Sequence, residues 1–84
     1  MQLGNKSSQI GEIEMEIFVT DKYSKRTQRV VIPSAFELTP SVAITARNMA
    51  LGRGASAYVQ DSDGPKRYSV NGIGNKARAR RCDI

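Results

Sequence analysis

The side chains of this chain that could do chemistry are mostly arginines and lysines, and they crowd its second half. Lys66 and Arg67 stand beside Tyr68, Lys76, Arg78, Arg80 and Arg81 follow closely, and Arg53 lies between two glycines. Residues 41–84 hold eight basic and three acidic residues, against five and five in residues 1–40, so the net charge of +5 belongs to the second half. A guanidinium offers a planar fork of N–H donors that fits two phosphate or carboxylate oxygens at once. One-sided positive potential attracts polyanions and speeds their encounter. Tyr58 or Tyr68 would add a ring on which an exposed base can stack. The candidate nucleic-acid-contacting set is therefore Arg53, Tyr58, Lys66, Arg67, Tyr68, Lys76, Arg78, Arg80 and Arg81.

Other groupings carry less. The chain has no His, which removes the commonest general base. Its one Cys, Cys82, has no second Cys or His with which to form a disulfide or a zinc site, and reads as a free thiol on a flexible tail. Asp61 and Asp63 stand in Asp-Ser-Asp-Gly-Pro, where turn formation accounts for them. Glu12, Glu14 and Glu16 lie on one side of an alternating segment, too flat to wrap a cation, and are expected to face Lys25, Arg26 and Arg29 on a neighbouring strand. Gly52-Arg53-Gly54 has the glycines of a phosphate loop but follows a helix, where carbonyls rather than N–H groups point outward. Arg53 to Val59 has the outline of a strand signature of the RNA-recognition motif. Ala55 and Ala57 stand where that family needs aromatics, and a second helix is missing, so the match is rejected. No catalytic residue, cofactor or metal is expected, and the chain reads as non-enzymatic.

The elements that must hold these residues follow from periodicity. Residues 1–9 read as a flexible leader without an apolar run suited to a secretory signal. Ile13, Met15, Ile17 and Val19 alternate with polar partners, which predicts a half-buried strand. A turn at Asp21-Lys22-Tyr23-Ser24 and the run Val30-Val31-Ile32 complete a hairpin, ended by Pro33. Thr39 as N-cap and Pro40 at the first helical position start a helix that runs to Leu51, closed by Gly52 or Gly54. Val42, Ala46, Met49 and Ala50, with Ala43 beside them, form its expected buried face. Ala55–Gln60 and Lys66–Val70 make a second hairpin around the Asp61–Pro65 turn. Residues 73–84 read as a basic tail.

The order strand, strand, helix, strand, strand predicts a small α+β two-layer sandwich over residues 10–72, with one helix on a mostly antiparallel sheet. At 84 residues the core must be thin, and a homodimer would help bury apolar surface. No apolar run is long enough to span a bilayer, which favours a cytoplasmic protein with no membrane partner. The expected function is non-enzymatic binding of DNA or RNA through phosphates contacted by the second hairpin and tail. The alternative is a protein-binding inhibitor or adaptor, such as a phage-encoded blocker of a host nuclease or nucleoprotein complex. It would act by surface occlusion, with an acidic protein surface as a partner for the basic half.

Overall fold

The computed structural model describes residues 13–83, so the expected leader and Glu12 lie outside the described residues. β1 (Glu14–Asp21) and β2 (Thr27–Pro33) form the first hairpin, α1 (Pro40–Leu51) follows, and β3 (Ala57–Asp61) and β4 (Arg67–Asn71) form the second. These strands have the order and type the sequence predicts, and the fold is α+β. The described residues form one five-stranded sheet in the order β2-β1-β3-β4-β5, antiparallel throughout.

The fifth strand corrects the expected tail. Gly74–Lys76 makes one 3-10 turn and Arg78–Arg81 forms β5, paired with β4 so that Ser69 meets Arg80 and Asn71 meets Arg78. Its apolar signal is two alanines: Ala77 is buried and Ala79 packs against the core, with Arg78 and Arg80 pointing the other way. Small side chains between charges give a weak hydrophobic period, yet the backbone ladder and the alanine contacts hold the segment. Cys82 continues the ladder, its N–H donating to the Arg67 carbonyl at 2.7 Å, so the thiol is free but half-buried rather than on a loose end.

β2 and β3 both run antiparallel to β1 and hence parallel to each other. α1 makes the crossover between them, passing over one face of the sheet. The core lies between: Ile17 and Val19 of β1, Val59 of β3, Val70 of β4 and Leu38 from the loop before α1 are fully buried, against Ala43 and Ala46. Alanines on α1 let the helix sit close to the sheet, and Leu38 fills the space beside them.

α1 begins and ends as its sequence predicts. The Thr39 side chain accepts from the Val42 N–H at 3.2 Å, and Gly52, at φ 92, donates its N–H to the Asn48 carbonyl. Its buried face differs. Ala43, Ala46 and Arg47 are the buried residues, whereas Met49 is 58% exposed and Val42 is half-buried. Of the expected stripe, Ala43 and Ala46 are buried and Val42 and Ala50 pack against the core; Met49 falls outside it and Arg47 takes a place in it. The apolar pattern leaves Arg47 in solvent, and the fold puts it inside.

Arg47 is fully buried because its guanidinium is surrounded by acceptors. Nη1 donates to the Ala55 and Gly72 carbonyls at 2.5 and 2.8 Å, Nη2 to the Gly74 carbonyl at 3.4 Å, and Nε to Asn48 Oδ1 at 2.8 Å. Burial nonetheless pushes the guanidinium pKa below its ordinary value. One side chain thus ties the exit of α1 to the start of β3 and to the β4–β5 connection.

Candidate nucleic-acid interface

Strand alternation turns one set of side chains to α1 and the other to the open face of the sheet. Register lines the open-face residues up in rows. One row runs Thr27, Thr20, Tyr58, Ser69, Arg80 from β2 to β5, and the next runs Arg29, Phe18, Gln60, Arg67. Tyr58 is therefore in the middle of the sheet, with Arg80 two strands away on its row and Phe18 one diagonal step away on β1.

Two cations close on the Tyr58 ring. Arg67 Cζ lies 4.6 Å from the ring centroid and Lys22 Nζ 4.8 Å, both within cation–π range. Each is fixed from elsewhere: Arg67 Nε donates to the Cys82 carbonyl at 3.1 Å, and Lys22 Nζ to Ser69 Oγ at 2.5 Å and Asn71 Oδ1 at 3.4 Å. Their partners are neutral, so both charges stay uncompensated. Arg78 and Arg80 also form no ion pair among the described residues.

Tyr58, Arg67, Arg78 and Arg80, four of the nine expected contact residues, thus share this face. The others do not. Tyr68 is 6% exposed and alternates with Arg67 and Ser69, so strand parity sends it into the core, where it cannot stack on a base. Lys66 Nζ reaches Glu37 at 3.5 Å, and Arg81 is held by both carboxylate oxygens of Asp83. That contact holds the Asp83 carboxyl below its usual range and raises the Arg81 guanidinium. Arg53 stands at the exit of α1 with its carbonyl accepting from the Gly74 N–H, and Lys76 is exposed on the 3-10 turn.

Strand alternation puts Phe18 on the open face from sequence alone, but neither Phe18 nor Lys22 was among the expected contact residues. Lys22 was not legible, because its role depends on the pairing of β1 with the distant β3 and β4.

The charge is segregated along the strands as well as along the chain. The β1–β2 turn, the exit of α1 and the β4–β5 connection share one end of the sheet, which carries Lys22, Lys25, Arg26, Arg53, Lys76 and Arg78. Asp21 is the one carboxylate there among the described residues, and its Oδ1 accepts from the Tyr23 and Ser24 N–H groups. Glu14, Glu16, Glu37, Asp61, Asp63 and Asp83 lie toward the opposite end. There Arg29 meets Glu16 at 2.5 Å, as expected for the hairpin. Lys25 and Arg26 do not face the glutamates, since the turn carries them to the far end of β1. Asp61 accepts from the Asp63 N–H at 2.9 Å, in keeping with a turn role.

Glu14, Glu16, Asp61 and Asp63 also border an open cleft of about 320 Å³ with Phe36 at its side. Among the described residues no group of three or more His, Cys, Asp or Glu is arranged to hold a metal ion, and no helix is long and apolar enough to cross a membrane. Compared with protein-family models, curated proteins and solved structures, the chain matches none.

Proposed function

We propose that this protein binds nucleic acid through the open face of its sheet, with phosphates held at its basic end. The observation that carries this reading is the convergence of Lys22 and Arg67, cations without carboxylate partners, on the Tyr58 ring, with Arg80 likewise unpaired two strands away on the same row. Arginines on an edge strand also have a protective use, since they discourage the edge from pairing with another chain. That role accounts for β5 alone. It gives no reason for Lys22 and Arg67 to converge on Tyr58 in the interior of the sheet.

Binding of this kind neutralises phosphates and releases counterions, so affinity must fall steeply with salt. The test is a titration of the intact protein into labelled DNA and RNA over a range of salt concentrations. A linear fall of log affinity with log salt supports the reading; no binding at low salt, or a flat response, rejects it. Substitutions serve better than truncation here, because removing residues 77–84 would strip β5 from the sheet.

A second reading is docking to a partner protein, with this chain as an inhibitor or adaptor. One observation favours it: the carboxylate-lined cleft beside Phe36, whose ring is 76% exposed. A basic, apolar segment of a partner has the matching chemistry. Loss of partner capture on Phe36→Ser with unchanged nucleic-acid binding would separate this surface from the first.

A further inference from the structure

The open face is shaped for one form of nucleic acid. Five strands at about 4.8 Å spacing make a face roughly 19 Å across. The major groove of a DNA duplex is about 12 Å wide and the minor groove about 6 Å, so the face cannot enter either. The β4–β5 edge could approach a groove, but Tyr58 lies two strands in from it, about 10 Å away. A duplex lying flat on the sheet would offer phosphates to the arginines and keep its base faces stacked inside. Only an unpaired strand can bring a base face to Tyr58.

Resting on the nucleic-acid reading above, we infer that the ligand is single-stranded, with one base stacked on the Tyr58–Arg67 plate and the adjoining backbone held by Lys22, Arg78 and Arg80. Phe18, one diagonal step away across the β1–β3 pair, offers a second apolar surface to the next base. The plate is ordered before ligand arrives, because Arg67 is tethered to the Cys82 carbonyl and Lys22 to Ser69 Oγ. Little side-chain freedom is then lost on binding. Stacking tolerates any base, so selectivity is for strandedness rather than sequence.

The test compares four fluorescent probes at one low salt concentration: a DNA strand without self-pairing, the matching RNA, the blunt DNA duplex, and an abasic DNA strand of equal length. The single strands should bind at least about fivefold tighter than the duplex or the abasic strand, if the stacked base carries one to three kcal/mol. Tyr58→Ala should weaken single-strand binding roughly 5- to 150-fold and leave duplex binding nearly unchanged. Tyr58→Trp should retain affinity, with indole fluorescence quenched by the single strand alone. Equal binding of all four probes, or an unquenched Tyr58→Trp, overturns the stacking inference while leaving phosphate binding intact. Should Tyr58→Ala fail to fold, the abasic probe and the Tyr58→Trp signal decide. Absence of binding to every probe overturns both readings together.

Discussion

Arg47 and Gly72, 25 residues apart in the chain, are joined by a 2.8 Å hydrogen bond from Nη1 to the glycine carbonyl. The same nitrogen holds the Ala55 carbonyl, so one buried guanidinium fixes how α1, β3 and the β4–β5 connection meet. Arg47→Ala would leave these carbonyls without a donor in a closed space and open a cavity, at a cost of about 3 kcal/mol or more. Arg47→Lys should recover part of this, since an ammonium lacks the planar fork that reaches several acceptors at once. Urea denaturation of the two variants beside the parent measures the difference, and equal midpoints would refute it.

Gly72 is constrained from a second side. Its φ is 106, and a Cβ built on it would stand 2.9 Å from the Ala77 Cα. Backbone at that distance cannot yield as a flexible side chain would. Gly72→Ala should therefore cost at least about 2 kcal/mol through dihedral strain and overlap. Gly64→Ala, with open space around it and no positive φ, should stay within about 0.5 kcal/mol of the parent. Paired thermal melts give the comparison.

Arg80 and Arg78 should act on phosphates, whereas Arg81 is already committed to Asp83. Replacing Arg78 and Arg80 by Ala should weaken binding to single strand and duplex alike. The salt slope should drop by roughly 0.7–0.9 for each phosphate that is no longer neutralised. Arg81→Ala should change the slope less. Anisotropy titrations at several salt concentrations distinguish the two cases.

The Arg81–Asp83 pair gives the end of β5 a pH dependence of known sign. Asp83 has its carboxyl pKa lowered, chiefly by the hydrogen bond from Arg81, so its contribution is present above the unfolded carboxylate value of about 3.9. It is lost as pH falls through the lower folded value. Both groups are exposed, and the effect is local. Amide exchange at Cys82, whose N–H donates to the Arg67 carbonyl, should gain relative to the β1–β3 amides only in that acid range. Asp83→Asn should remove the difference.

The two hairpins were legible because their apolar residues are regularly spaced, Ile17 and Val19, Val30 and Ile32, Val59 beside Ala57, Val70 beside Tyr68, and α1 was legible from its Thr39-Pro40 start and Gly52 end. β5 was hidden for a different reason, its inward positions being Ala77 and Ala79 among three arginines and a lysine. Arg47 misled for a related one. Charge predicts solvent until enough acceptors converge, and those acceptors are mostly backbone carbonyls that carry no mark in the sequence. Of the expected binding set, Tyr58 and Arg67 share a face by simple alternation, and the same rule applied to Tyr68 sends it inward. Lys22 depended on strand order, which local pattern does not specify.

The position of β1 between β2 and β3 has a kinetic consequence. Its pairing with β2 closes a short turn, a microsecond event in isolation. Its pairing with β3 must wait for β2 and α1 to fold back across it, and so carries the entropy of closing a much longer loop before any contact offsets it. The early hairpin leaves one side of β1 unpaired in the meantime, a temporary edge bearing Phe18 and Val19. Arrival of α1 and β3 is thus the step at which the chain either completes itself or meets a neighbour, and protein concentration during refolding sets the balance between the two.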